Sequence, residues 1–305
     1  MAPTVGINIE ALFSSDVSAN YPSRHWCLLS RCRKDYISEA IESVLASSYT
    51  DYELIIVDDC SNDATFEIAN EYASRDTRLR VYKNDANLGD YPNRNKAAAL
   101  ARGKYLKYLD SDDVVYPHGL ETMVDWMEKY PDAGFGLSAY SFDDKPHPVL
   151  LKPHEIYKTH FGGHDLLGRA PGSSIISRMA FEEIGGFSGL RQVGDFEFWL
   201  KIASRHSLIT MPRDLVWDRT HSNQEKVLNT PARKDAMRFQ VTTAAFADKY
   251  CPLSSIEQEL ALQQLRKEHV KYFWKIALRP QKFREALRFK KELSLSWIML
   301  LKQCV

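Results

Sequence analysis

A chain of 305 residues, 44% of them hydrophobic, can bury a full core as one large domain or as a domain with an appendage. Forty basic residues against forty acidic ones leave a net charge of +0, which argues against nucleic acid as a partner of the whole chain. Five cysteines (Cys27, Cys32, Cys60, Cys251, Cys304), odd in number and without a C-x-x-C pair, argue against a zinc site or a disulfide framework and fit a reducing cytoplasm.

No basic-then-apolar signal pattern opens the chain, and the apolar stretch 297–301 falls far short of the roughly 20 residues a spanning helix needs. A soluble, cytoplasmic protein is expected. In chain order, Tyr36, Ile37, Ala40, Ile41, Val44 and Leu45 recur at helical spacing, with Asp35 as the cap. The apolar run 54–57 then ends in Asp58 and Asp59, and reads as a strand buried on both faces of a parallel sheet. A helix follows with Phe66, Ile68, Ala69 and Tyr72 on its apolar side, then the strand "LRVY" at 79–82. The alanine-rich "NRNKAAALARG" reads as a helix stopped by Gly103, and "KYLKYLD" at 104–110 as a third strand.

Strand, helix, strand, helix, strand predicts a doubly wound α/β sheet with the C-terminal strand ends on one edge, where ligands bind. Two acidic clusters thereby converge: Asp58 and Asp59 after one strand, and Asp110, Asp112 and Asp113 after another, the latter on a loop expected to be exposed. Crowded carboxylates need a compensating cation, a ligand or open water. Aspartates after a strand are common turn formers, but two clusters on one edge favour a hard-cation site for Mg²⁺ or Mn²⁺. Further on, Leu120, Met123, Val124 and Met127 mark a helix, "GFGLS" a strand, and "RMAFEEIGGF" a short helix closed by a glycine pair. "GDFEFWLKIASRH" reads as a turn leading into a helix that starts near Asp195. After about His221 the composition shifts: residues 266–292 carry ten basic against three acidic residues, with leucines and aromatics at helical spacing. This is an amphipathic helical tail, either packed as a hairpin on the rest or in peripheral contact with a membrane.

Four segments in this order resemble the family-2 glycosyltransferases, inverting enzymes of the GT-A fold type. They are "YISEAIESVLASSYTDYELIIVDDCSNDAT", "NLGDYPNRNKAAALARGKYLKYLDSDD", "IISRMAFEEIGGF" and "VGDFEFWLKIA", within residues 35–221. The resemblance implies a GT-A type, Rossmann-like mixed sheet flanked by helices. A catalytic domain over 1–225 would carry a C-terminal helical extension, the basic amphipathic tail, over 226–305. It further implies that Asp59, with Asp58 beside it, holds the nucleotide base, and that Arg94 lines the nucleotide pocket. Asp110 would lie near the ribose and Asp112 on Mn²⁺ or Mg²⁺, with His221 completing the metal shell or touching phosphate. Inverting transfer is a single in-line displacement, so one carboxylate must take the acceptor's proton, and the resemblance gives that role to Asp195. An ordinary helix N-cap is the competing reading of Asp195. Glu197, two residues on, points elsewhere on the helix. Trp199 and Trp217 read as core and pocket wall.

One stretch departs from the family. Its first strand usually runs into P-T-Y-N, whereas "HWCLLSRCRKDY" has none of these at the expected places. "TVGINIE" is a rival first strand, too far from the first helix for a short connection. The implied activity is metal-dependent transfer of a sugar from a nucleotide-diphosphate donor (UDP-, GDP- or dTDP-sugar) to a hydroxyl of a glycan or lipid-linked acceptor. Bacterial surface-polysaccharide synthesis at the inner face of the membrane is the implied setting. The alternative is a degenerate relative that binds nucleotide or glycan without turnover. A dinucleotide-dependent oxidoreductase is disfavoured, since no strand is followed by G-x-G-x-x-G.

Overall fold

The computed structural model describes residues 27–30, 34–138, 146–220 and 231–302. Its first half alternates strand and helix: β1 (Cys27–Ser30), α1 (Ile37–Leu45), β2 (Leu54–Asp58), α2 (Thr65–Ala73), β3 (Leu79–Lys83) and α3 (Asp90–Leu100). The next strand is broken in two, β4 (Tyr105–Leu106) and β5 (Tyr108–Asp110). Then come β6 (Val114–Val115), α4 (Gly119–Lys129), β7 (Ala133–Ser138), β8 (Val149–Leu151), α5 (Pro153–Phe161), β9 (Ser174–Ser177), α6 (Arg178–Glu183), α7 (Gly194–Ala203), β10 (Ser207–Met211) and β11 (Val216–Trp217). Four helices complete the described chain: α8 (Pro231–Ala247), α9 (Ser255–Ala277), α10 (Phe283–Glu292) and α11 (Trp297–Lys302).

β1, β2, β3 and β5 form a parallel sheet in the order β3-β2-β1-β5, in which Cys27–Ser30 takes the place of the family's first strand; the rival stretch "TVGINIE" lies outside the described residues. Ser30 is opposite Asp58 and Leu29 opposite Asp110, so the two acidic clusters flank β1 on one edge. β2 is buried throughout because both its faces are covered. Leu54 and Ile56 join Ile37, Ile41 and Val44 of α1 in one apolar cluster, and Ile55 and Val57 join Ala97 and Ala98 of α3 in the other. That alternation is the period-2 geometry of a strand between two helix layers.

A second, mixed sheet has the order β4-β9-β7-β10-β8, so the fold is the expected GT-A type rather than a wholly parallel sheet. The segment expected as one strand, 104–110, serves both: Tyr105 and Leu106 pair with β9, Tyr108 to Asp110 with β1, and Lys107 stands at the switch. Its ammonium is fully buried and donates to the carbonyls of Tyr108 (2.8 Å) and Gly172.

Two helix ends differ from expectation. Tyr36, not Asp35, is the N-cap of α1. α3 ends before Gly103, because Ala101 already turns to extended backbone (ψ 150°). The glycine pair does close α6: Gly185 and Gly186 have φ of +76° and +65°, the left-handed region that a side chain disfavours.

The tail is helical and seated on the rest. Phe246, Leu253 and Ala261 belong to the same cluster as Phe135 and Leu208 of the second sheet, while Val270, Phe273, Ile276, Ala286, Phe289, Leu295 and Leu300 form a smaller cluster of their own. Among the described residues no helix is long and apolar enough to cross a membrane.

Candidate active site

The edge of the parallel sheet is built from loops that bind one another. Asp58 is fully buried, and its carboxylate accepts from the Ser61 backbone N–H (3.0 Å) and hydroxyl, closing its own turn. Asp59 reaches across instead. Its carboxylate accepts from the backbone N–H groups of Leu88 (2.8 Å) and Gly89 (2.9 Å) and from the Asn84 amide (2.8 Å). Gly89 has φ +88°, and a Cβ there would meet no atom within 4 Å, so conformation rather than space calls for glycine. This latch sets the entry to α3, whose first turns carry Asp90, Tyr91 and Arg94.

Arg94 is buried at 3% exposure. Its Nε donates to Asp90 (2.9 Å) and its Nη2 to Asp110 (2.6 Å), while the guanidinium lies 5.4 Å from the centre of the Tyr108 ring. Burial disfavours its charge, but Asp110 and Asp90 outweigh that and hold its pKa above the ordinary value. Its third nitrogen, Nη1, is buried without a hydrogen-bond partner among the described residues, a donor left for a ligand.

The loop after β5 is covered rather than open: Asp112 and Asp113 are 8% and 7% exposed. Its cover is the segment around β11, which pairs antiparallel with β6. Arg219, just beyond that strand, donates its backbone N–H to Asp113 (3.0 Å), its Nε to the Asp112 carbonyl (2.8 Å) and its Nη2 to Glu39. Its guanidinium lies 4.9 Å from the ring centre of Tyr36 and 4.6 Å from that of Trp217. Trp217 is thus a half-exposed wall of this clamp, whereas Trp199 is fully buried, stacked on Phe135 and bonded to the Arg169 carbonyl. His221 lies outside the described residues.

Arg94, Arg219 and Lys107 therefore partly answer the crowding of carboxylates. They do not fully relieve it. Burial first, then Asp110, Asp218 and Asp112, pushes the Asp113 carboxyl up to about 7. Burial pushes Lys107 down to about 7 against the pull of Asp218, Asp113 and Asp110. Among the described residues no three His, Cys, Asp or Glu side chains are grouped to hold a cation. The donor set nevertheless fits Mg²⁺ or Mn²⁺, which are commonly bound through one or two carboxylates with the remaining positions taken by substrate phosphates and water.

Asp195 is the second residue of α7, not its cap: Val193 occupies the N-cap position. The carboxylate accepts from the Phe196 N–H (2.7 Å). Tyr91 of α3 stands beside it; burial, then Asp195 and Asp90, push that phenol's pKa up. Gly194 permits the approach, since a Cβ there would fall 2.7 Å from the Tyr91 ring. Asp195 thus meets α3 at the turn that carries Asp90 and Arg94. Glu197 faces away, accepting from the Ser188 hydroxyl and lining a cavity of about 430 Å³ between α7 and α8.

The site thus brings together Asp59, Arg94, Asp110, Asp112 and the approach to Asp195. It leaves Asp58 within its own turn. Sequence reasoning missed Arg219, Lys107 and Tyr91. The acidic excess at the loop was the signal for the two cations, but neither burial nor the β6–β11 pairing shows in local pattern.

Residues 29–185, just over half of the chain, match the model of glycosyl transferase family 2. An uncharacterized glycosyltransferase of Methanocaldococcus jannaschii is 32% identical over an alignment of 178 residues that covers 54% of this chain and 59% of that one. The putative teichuronic acid biosynthesis glycosyltransferase TuaG of Bacillus subtilis is 40% identical over 108 residues, 35% of this chain and 42% of that one. The chain thus spans less than two thirds of the length of these relatives. Among solved structures, S. aureus TarS 1–349 in complex with UDP-GlcNAc has a TM-score of 0.66 at 15% identity, covering 89% of this chain and 79% of that one. A Pyrobaculum calidifontis mannosyltransferase in complex with GDP-Man and Mn²⁺ has a TM-score of 0.59 at 16% identity, covering 97% and 92%. At these identities the likeness is one of fold. With its GT-A architecture and the family model spanning the acidic edge, the chain belongs to glycosyl transferase family 2.

Proposed function

We propose that the protein is a divalent-cation-dependent, inverting glycosyltransferase. It moves a sugar from a nucleotide-diphosphate donor to a hydroxyl of a glycan or lipid-linked acceptor, in surface-polysaccharide assembly at the inner face of a membrane. The observation that carries this reading is the meeting of Arg94 and Asp110 beside Asp112, under the Arg219 clamp, at the edge where the β2 and β5 loops converge. The buried, unpartnered Nη1 of Arg94 suits a nucleotide oxygen, and the crowded Asp112 and Asp113 suit a cation that neutralises the leaving diphosphate. In this reading Asp59 and Arg94 border the base, Asp110 the ribose, Asp112 holds Mn²⁺ or Mg²⁺ with His221, and Asp195 takes the acceptor's proton. The relatives named for teichuronic acid synthesis and complexed with UDP-GlcNAc or GDP-Man support the substrate class.

The test is incubation with UDP-, GDP- and dTDP-sugars and candidate acceptors, with Mn²⁺, Mg²⁺ or chelator, reading transfer and the product's anomeric configuration by NMR. Cation-dependent transfer with inversion is expected. Cation-dependent nucleotide binding with neither transfer nor donor hydrolysis would favour the binding-only alternative.

A further inference from the structure

The last helices carry more apolar surface than their packing uses. The inner sides of α9, α10 and α11 are closed by their own cluster, with Phe273, Ala286, Phe289 and Leu300 nearly or fully buried. The outer sides nevertheless present Phe283 (47% exposed), Leu287 (39%), Trp297 (50%), Ile298 (66%) and Leu301 (61%). A helix whose core face is satisfied elsewhere has no internal need for large apolar residues on its other face. Phe283 and Leu287 are four residues apart and so form one stripe of α10. Exposed Arg284, Arg288 and Lys291 border it. The stripe continues to α11, because Lys290 reaches from α10 to within 4.8 Å of the Trp297 ring centre.

We infer that this α10–α11 face is where the protein lies on an anionic lipid surface. The inference deepens the proposed contact with a membrane by naming the face, and it rests on that reading for its purpose but not for its test. Apolar tips beside cations match the boundary between acyl chains and phosphate headgroups. Among the described residues no helix is apolar enough to cross, so the contact is one of lying on the surface. Nucleic acid would use the cations but leave Trp297, Ile298 and Leu301 without a function. A symmetric contact with a second copy would bring Arg284, Arg288 and Lys291 of both copies into one interface, where like charges repel.

The test is co-sedimentation of the full chain with phosphatidylglycerol-containing vesicles and with pure phosphatidylcholine vesicles at physiological salt. Binding to the anionic vesicles alone is expected. The double variant Arg284→Gln/Arg288→Gln should weaken it by about thirtyfold, at roughly fivefold per cation. Phe283→Ser/Leu287→Ser should weaken it while lowering the melting temperature only modestly, since both side chains are half-exposed and lie outside the buried cluster. Wild-type protein that stays in the supernatant overturns the inference, as do variants that bind like wild type. So does a wild-type dimer that the Phe283→Ser/Leu287→Ser variant makes monomeric, which would give the face to a second copy. Transfer to a soluble acceptor should be unchanged in both variants; its absence from wild type would count against the proposed activity and leave the vesicle result standing.

Discussion

Arg94 and Asp110 are joined at 2.6 Å across the sheet edge, one from a helix and one from a strand end, so the side of the site proposed for the nucleotide is also a tie between elements. Arg94→Ala should leave Asp90 and Asp110 without their shared cation. A loss of about 2–3 kcal/mol is expected, below that for a fully buried pair because Asp110 is one-third exposed. Arg94→Lys keeps the charge but not the fork, so nucleoside-diphosphate affinity should fall further than stability does. Thermal melts and calorimetry on both variants separate the two effects.

Asp112 is predicted to hold the cation. Asp112→Asn should remove the Mn²⁺-dependent gain in UDP or GDP affinity, by more than the roughly 10–100-fold that losing an outer partner of a metal costs. Titration of nucleotide with and without Mn²⁺ checks this. An undiminished gain would take Asp112 out of the metal shell.

For Asp195, the Asn variant keeps size and a hydrogen-bond acceptor but cannot take a proton. Turnover should fall by about 10²–10⁴ with donor binding nearly intact. Although Val193 holds the cap position, Asp195→Ala should lose the first-turn dipole contribution and the hydrogen bond from the Phe196 N–H, together about 1–2 kcal/mol. Full activity in Asp195→Asn would end the assignment.

Acid should weaken the seat of the tail. His160, packed against Phe161 and Phe196, lines a cavity with Arg238 and Asp235 of α8; burial lowers its pKa to about 4, with Asp165 opposing and Arg238 adding. The unfolded chain binds this proton below about 6.5 and the folded chain only near 4, so the neutral ring's contribution is complete above 6.5 and is lost as pH falls towards 4. Asp113, raised to about 7, acts in the opposite sense over much of that window. The melting temperature of His160→Gln, compared with wild type from pH 7 to pH 4, should therefore show a shallower acid decline.

Much of the scaffold was legible because period alone reports burial. The run 54–57, the α1 stripe and the glycine pair after α6 are local signals that tertiary structure did not override. The edge convergence of Asp58, Asp59 and Asp110 was legible too, since it follows from parallel topology. What local pattern could not carry was pairing at a distance. Lys107 interrupts a strand because its ammonium finds a carbonyl at Gly172, and the Asp112 loop, expected to be exposed, is covered because Val216 and Trp217 pair with Val115 and Val114. Helix α3 stops before Gly103, where the Arg102 N–H is taken by Glu53 and the Gly103 carbonyl by Arg178, both far off in sequence.

The shared cluster of Phe246, Leu253 and Ala261 with Phe135 and Leu208 has a consequence for synthesis. A chain emerging from the ribosome can close the α1 side of its parallel sheet early, from residues near one another in order. Its other side is roofed by α3, but the cluster that continues from there onto Phe135 and Leu208 of the second sheet stays incomplete until α8 and the start of α9 have appeared. Between the synthesis of β10 and that of α8 and α9 the nascent protein would therefore expose part of an apolar floor, the state in which chaperones hold chains and unprotected ones stick together.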